Sequence, residues 1–397
     1  MNISNRITSV PPSTIMELLT FAANAKKEGK KVYHLNIGQP DIITPEGFLN
    51  AVKNFDGKVL EYALSEGLPE LIEVIKKYYE DYNIKYNNDE ILITNGGSEA
   101  LLFTMLSICD EGDNILVPEP FYSNYYNFAQ SVGVSINPIT TLAENGFHLP
   151  NKEEIASKID SKTKAILFSN PGNPTGVVYT KEEIEMVCDL AIENNLWIIA
   201  DEVYREFVYE GEYTSLGNIE RVQDRVIIVD SVSKRYSACG ARIGCVVSKN
   251  KDYIASMLKL CQARLSVPTL EQIGAIELYK TNSSYLKDVN DEYKARRDVL
   301  YNELMKVPGV ICKKPTGAFY IVAKLPVQNA DHFTKWLLSD FHIDGETVMP
   351  CPAEGFYMTP GLGVDEIRLA YVLNSEDLAK AAHLLKEGLE AYLKLNK

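Results

Sequence analysis

The chain has 397 residues, 46 % of them hydrophobic, more than one ordinary core takes in, so two domains are expected. A formal net charge of −14 excludes a broad basic face, and with it a nucleic-acid or anionic-membrane partner, so any anion site must be local. Seven scattered cysteines without a C-x-x-C pair read as reduced core thiols, not as a disulfide frame or zinc site, and no metal is expected. The start of the chain carries no apolar leader and no apolar run approaches the length of a membrane span, so a cytoplasmic protein is expected.

In chain order, Val10-Pro11-Pro12 reads as an extended arm, residues 13–29 as an amphipathic helix capped by Ser13 or Thr14, and residues 32–37 as a short strand. The turn Gly38-Gln39-Pro40-Asp41 follows. Residues 91–94 form an apolar strand, Asn95-Gly96-Gly97 a turn, and Ser98 opens a strongly apolar helix. That order brings free backbone N–H groups and a positive dipole end to one point, which suits a phosphate. A plain glycine turn with a serine cap has the same sequence. Neither a P-loop nor a dinucleotide glycine pattern is present. Val117-Pro118-Glu119-Pro120-Phe121-Tyr122 ends a further strand in a stiff turn bearing two aromatics.

Three apolar runs of buried-strand type come next. Residues 165–168 run into Ser169-Asn170-Pro171-Gly172-Asn173, residues 196–200 into Asp201-Glu202-Val203-Tyr204, and residues 226–229 into a loop bearing Lys234. Residues 181–195 read as a helix introduced by Thr180 with Glu183 three positions on, a capping box. This β-α-β order implies a largely parallel sheet covered on both faces, whose ligands gather at the carboxyl ends of its strands. Asn173, Asp201, Tyr204 and Lys234 should therefore meet at one edge. A carboxylate ending residues 197–200 should be partly buried and in need of a cation or strong donor. Beyond Gly244, residues 245–248 turn back as a strand, and residues 251–260 and 270–280 read as helices. A long charged helix over residues 284–306 leads to a second unit, with strands after Lys314 and around Ile367-Arg368-Leu369-Ala370-Tyr371 and a last helix from Ser375.

The stretch Ser231-Val232-Ser233-Lys234-Arg235-Tyr236-Ser237-Ala238-Cys239-Gly240-Ala241-Arg242-Ile243-Gly244 resembles the lysine signature of the class I and II aminotransferases, enzymes of pyridoxal-phosphate (PLP) fold type I. Its small, apolar, Lys, Gly and Arg positions match without a break. Leu60-Glu61-Tyr62-Ala63-Leu64-Ser65-Glu66-Gly67-Leu68-Pro69-Glu70-Leu71 resembles the same family's Y-x-x-x-x-G-x-x-E-L segment. The resemblance implies an α/β fold. A large domain over residues 47–285 would hold a mostly parallel seven-stranded sheet covered by helices, and residues 1–46 and 286–397 would form a smaller α+β domain.

It also implies roles. Lys234 would bind the PLP aldehyde and move the proton, and Asp201 would keep the ring nitrogen protonated. Asn173 and Tyr204 would donate to the 3-oxygen, and Tyr122 would stack on the ring, where many relatives carry Trp. Gly97, Ser98, Ser231, Ser233 and Arg242 would clamp the phosphate, joined by Tyr62 from the neighbouring subunit of a homodimer. Arg368 would fork the substrate carboxylate, with Gly38 and Asn173 beside it.

The implied activity is ping-pong amino transfer from an L-amino acid to a 2-oxo acid, with glutamate and 2-oxoglutarate on one side and aspartate or an aromatic or neutral amino acid on the other. The same cofactor residues serve β-lyases and 1-aminocyclopropane-type synthases. They also serve non-catalytic PLP-binding regulatory modules, whose basic DNA-binding domain is at odds with this chain's charge. Arg264, in Cys261-Gln262-Ala263-Arg264-Leu265-Ser266-Val267-Pro268, would read a side-chain carboxylate if that segment is extended. If the segment is helical, Arg264 becomes a surface charge.

Overall fold

The computed structural model describes residues 3–8 and 14–395. Strand β1 (Lys31–His34) stands apart from the main sheet. That sheet collects β2 (Ile91–Asn95), β3 (Asn114–Glu119), β4 (Ser135–Thr140), β5 (Thr163–Ser169), β6 (Trp197–Asp201), β7 (Val226–Ser231) and β8 (Ile243–Val247). Their spatial order is β2-β8-β7-β6-β5-β3-β4. Strands β3 to β7 run parallel, while β8 pairs antiparallel with both β7 and β2. The reversal at β8 is the strand expected to turn back after Gly244.

Alternation along each central strand feeds two cores. Ile166, Phe168, Ile198, Ala200, Val226 and Ile228 join one cluster with Ile184 and Val187 of the helix Lys181–Glu193. Leu167, Ile199, Ile227 and Val229 join another with Leu101 and Met105 of the helix Gly96–Ile108. Each fully buried aliphatic side chain stabilises by roughly 1.5–3 kcal/mol, so both faces must be covered for the sheet to persist. The C-terminal part adds β9 (Tyr320–Lys324), β10 (Glu346–Met349), β11 (Cys351–Pro352) and β12 (Glu366–Ala370). Strand β10 pairs in parallel with β1, and β11-β12-β9 forms an antiparallel sheet.

A third cluster centred on Phe319, Tyr293, Leu337 and Tyr371 fills this part. Tyr204 and Phe207, which follow β6, also belong to it, and Tyr285 packs against both it and the first cluster. From this separation of sheets and cores we propose the division into residues 47–285 and residues 1–46 with 286–397. On that division, the helix Ser283–Leu304 begins in the first unit and continues into the second. Among the described residues, no helix is long and apolar enough to cross a membrane.

Local expectations differ from the structure in a few places. The first long helix spans Thr14–Lys27; the cap expected at Ser13 lies outside the described residues, as do residues 9–12 of the arm, whereas Asn5–Thr8 is a helical turn. The helix after β2 begins at Gly96, not Ser98, because Gly96 takes a φ of +69° and turns the chain at once. Ser98 is then inside the first turn and not its cap.

The capping box before Lys181–Glu193 is present: Glu183 N–H donates to Thr180 Oγ1 at 3.3 Å and Thr180 N–H to Glu183 Oε2 at 2.7 Å. Replacing Thr180 by Ala is expected to cost about 1 kcal/mol, read as a lower urea midpoint, while Thr180→Ser stays near wild type.

Candidate active site

Strand β7 ends in Ser231, which caps the one-turn helix Val232–Arg235 that carries Lys234. The expected loop is therefore a helical turn. Ser231 Oγ accepts the Ser233 N–H at 3.0 Å and donates to Ser233 Oγ at 2.7 Å or to the Ile243 carbonyl at 3.1 Å. From beneath, the turn is held by a fully buried ion pair between Asp230 and Arg235. Asp230 also accepts Ser231 N–H at 2.7 Å and the Tyr79 hydroxyl at 3.2 Å, and the Arg235 guanidinium lies 4.4 Å from the Tyr78 ring centre. A buried pair of this kind is tolerable only with such added partners. Lys234 Nζ emerges from the turn, donates to the Gly38 carbonyl at 2.9 Å and lies 6.0 Å from the Phe319 ring centre.

Asp201 ends β6, one strand away. Its carboxylate accepts the Tyr125 hydroxyl at 2.6 Å and the Val203 N–H at 3.2 Å. Burial pushes it up to about 6, outweighing the lowering by Tyr125, Val203 and Lys234. Tyr125 carried no sequence signal beyond its spacing from Tyr122; it lies in the helix Asn124–Ser131, and Tyr122, just before that helix, meets it in an edge-on ring pair 5.5 Å apart.

Across β7 and β8 lies a cradle. Gly244 pairs with Ser231, and a Cβ on Gly244 would sit 2.5 Å from the Gly96 carbonyl carbon and 2.8 Å from Gly97 N. A Cβ on Gly96 would sit 2.5 Å from Arg242 Nη2. Arg242 has a φ of +53°, a left-handed backbone that costs a non-glycine residue roughly 1–2 kcal/mol. Gly97, Ser98, Ser231, Ser233 and Arg242 are thereby gathered around one helix N-terminus, a donor set that could hold an anion.

On the facing side, Arg368 of β12 is buried. It donates to the Asn36 carbonyl at 2.7 Å and to Asn173 Oδ1 at 3.3 Å, and its guanidinium carbon lies 4.8 Å from both the Tyr320 and Phe356 ring centres. Its Nε is buried without a hydrogen-bond partner. Tyr320 and Tyr204 share a hydroxyl contact of 2.8 Å, and a Cβ on Gly38 would fall 1.8 Å from the Tyr320 hydroxyl oxygen. Only glycine lets this wall close. Asn36, Tyr320 and Phe356 carried no sequence signal, since they meet Arg368 through pairing of distant segments.

Residues 30–385 match the family described as aminotransferase class I and II. The chain belongs to the class I and II aminotransferases. It is 31 % identical to an aspartate aminotransferase of Bacillus subtilis, over 99 % of this chain and 100 % of that protein. Among solved structures, the aspartate aminotransferase of Thermotoga maritima matches with a TM-score of 0.89 at 30 % identity, covering 98 % of this chain and 100 % of the other. The alanine aminotransferase of Pyrococcus furiosus matches with a TM-score of 0.90 at 31 % identity, with the same coverage. Like its family, this aminotransferase is a PLP-dependent transaminase of amino acids and 2-oxo acids.

Two of the residues expected at the aminotransferase site lie outside the cluster just described. Tyr62 is 81 % exposed. Arg264 ends the helix Lys251–Arg264, so the extended alternative does not hold. Nor is it a free surface charge: its side chain is 12 % exposed, its Nε is 3.6 Å from Glu99 Oε2, and it donates to the Ile93 carbonyl at 3.2 Å and the Ser65 carbonyl at 3.4 Å. Tyr122 lies beside Tyr125, with its hydroxyl accepting from Asn124 at 2.6 Å.

The Asp201 carboxyl generates a pH test. Raised from 3.8 to about 6, it binds more protons in the folded than in the unfolded cofactor-free protein, so stability falls as pH rises through that window. At about 1.4 kcal/mol per unit the loss reaches on the order of 3 kcal/mol above pH 6. Relative to cofactor-free Asp201→Asn, cofactor-free wild type should therefore lose urea resistance between pH 4 and pH 7; a pH-independent difference would contradict the burial argument.

Proposed function

We propose that this aminotransferase holds PLP between the lysine turn and the facing arginine wall and transfers amino groups between glutamate or 2-oxoglutarate and aspartate or an aromatic or neutral amino acid. The observation that carries the reading is a spacing. Lys234 Nζ is bonded to the carbonyl of Gly38, and Arg368 Nη2 to that of Asn36, two residues earlier. Two residues of chain span at most about 7 Å, so an amine and a guanidinium face a gap suited to one amino acid, whose nitrogen and carboxylate share a carbon.

The residues present fit the cofactor. Asp201, raised by burial, is relieved by a protonated ring nitrogen; the cradle of Gly97, Ser98, Ser231, Ser233 and Arg242 suits a phosphate; Asn173 and Tyr204 suit the 3-oxygen, and Tyr122 the ring face. When bound, PLP supplies the electron sink that acidifies the substrate α-carbon. Lys234 Nζ would carry the proton away from that carbon in one half-reaction and deliver one to it in the other, and the Gly38 carbonyl steadies the amine. Arg368 orients the carboxylate with its unpartnered Nε, while the Tyr320 and Phe356 rings exclude water from the guanidinium.

Relatives named for aspartate and for alanine stand at the same 31 % identity, so likeness does not choose the partner acid. Arg264 is paired with Glu99 at 3.6 Å, yet its buried Nε and Nη1 make no hydrogen bond, so a comparison of rates decides whether it reads a side-chain carboxylate. Second-order rates of loss of the bound cofactor's absorbance should be compared for aspartate, glutamate, alanine and phenylalanine. Arg368→Ala is expected to lower all four by order 10²-fold or more, as for a charge-assisted contact of roughly 3 kcal/mol. Arg264→Ala is expected to lower all four alike; a loss selective for aspartate and glutamate would restore Arg264 as the reader.

We infer a homodimer from an apolar surface around the Tyr62 segment. Val59, Leu60, Leu64 and Leu265 are exposed by 68, 57, 58 and 54 %, an arrangement that suits a covered face. Tyr62 would then reach the phosphate of the partner's cofactor. Sedimentation should give twice the chain mass. Mixing inactive Lys234→Ala with weakened Tyr62→Phe chains should restore activity, because one hybrid site regains both residues; no restoration in verified hybrids would contradict the shared site.

A further inference from the structure

Strand β3 ends in Glu119, which is 0 % exposed and has no part in the chemistry above. A buried carboxylate is costly unless its oxygens are satisfied, and here each oxygen accepts two donors. Oε1 accepts the Thr140 hydroxyl at 2.9 Å and the Thr359 hydroxyl at 2.5 Å. Oε2 accepts the backbone N–H groups of Met358 at 2.7 Å and Thr359 at 3.0 Å. Two residues on, Phe121 N–H donates to the Phe356 carbonyl at 2.9 Å. The segment from Phe356 to Thr359 lies between β11 and β12 of the other sheet, yet it is stitched at three residues to the end of β3.

What that segment carries gives the stitching a purpose. The Phe356 ring faces the Arg368 guanidinium at 4.8 Å, and Met358 packs in the same cluster as Tyr122 and Tyr125. The next residue, Tyr357, donates its hydroxyl to Glu366 at 2.5 Å, two positions before Arg368 on β12. One side of the cleft therefore sets the wall around the guanidinium on the other side, through the Glu119 carboxylate and the Phe121 N–H. Two of the three donors that the segment offers Glu119 are main-chain N–H groups, so the contact senses the position of the segment more than the rotamer of one side chain.

We propose that Glu119 is a positioning residue for substrate binding: its carboxylate latches the Phe356–Thr359 segment to the end of β3 and so holds Phe356 over Arg368 in the arrangement that receives the amino acid carboxylate. The inference rests on the aminotransferase reading of the site. Glu119→Gln replaces an acceptor oxygen by an N–H₂ group that meets donors, and so opens the latch with little change in volume.

Two measurements test it on the PLP-loaded protein. Hydrogen exchange at the Met358 and Thr359 amides should speed up by about 10-fold or more in Glu119→Gln, as local opening becomes easier. In single-turnover kinetics the half-saturating amino acid concentration should rise by about 10-fold or more while the limiting rate stays within about 3-fold, since binding and not proton transfer is affected. Thr359→Val, which keeps both backbone donors, should give a smaller rise that is not additive with Glu119→Gln. Cofactor retention and absorbance should match wild type in all three. Unchanged amide exchange, or faster exchange with unchanged half-saturation, would overturn the latch. If no amino acid reacts with the wild type, it is the aminotransferase reading that fails, and the exchange experiment still decides whether Glu119 holds the segment.

Discussion

Both faces of the seven-stranded sheet are buried, so its strands can present polar side chains only where they end. Ser169, Asp201 and Ser231 stand at the carboxyl ends of β5, β6 and β7; Ser169 and Asp201 are paired across the two strands, and Ser231 lies two residues beyond Val229, the partner of Asp201 on β7. The alternation that sends Ile198 to one core and Ile199 to the other leaves no place for a carboxylate earlier in β6. Asp201 is reached when the apolar run stops. It is still buried, and desolvation raises its proton affinity, which suits the ring-nitrogen role proposed for it.

Charge deeper in the molecule supports that edge. Asp230 and Arg235 pair beneath the lysine turn, and Glu202 and Arg205, 3.7 Å apart and both buried, follow Asp201. Glu202 is further held by the Ser215 hydroxyl at 2.8 Å and the Leu216 N–H at 3.2 Å. Hydrophobic replacements could pack as well or better in such positions. What ion pairs add is geometry: Asp230 fixes the Ser231 N–H and the Arg235 side chain together, and between those two residues the chain has only one turn in which to place Lys234. The opposite wall is fixed by size. Gly38 admits the Tyr320 hydroxyl where any Cβ would collide, and Gly244 admits the Gly96-Gly97 turn.

Much of this was legible in the residues. The buried runs at β5, β6 and β7, the capping box at Thr180 and Glu183, and the reversal after Gly244 all follow from local periodicity and turn chemistry, which depend on neighbours a few positions apart. Lys234, Asp201, Asn173 and Arg368 stood out through motif spacing, and the ends of neighbouring parallel strands place the first three at one edge. Less legible were the helical turn at Lys234, the helix start at Gly96 and the fate of Arg264. Each hinges on one or two backbone angles or on a partner, such as Glu99, far away in sequence.

The amino acid sequence by itself determined the order of strands and helices and the residues that terminate the central strands, because each is a property of short segments; the cofactor roles of those residues came from the family resemblance. Only the tertiary structure decided that Arg368 is forked by Asn36 and Asn173, that Tyr125 rather than a cation first satisfies Asp201, and that Glu119 grips the backbone of Met358 and Thr359. Those contacts join segments up to 332 positions apart. A backbone N–H or carbonyl is common to almost every residue, so which one a buried side chain will meet is set by packing and leaves no mark in the local sequence.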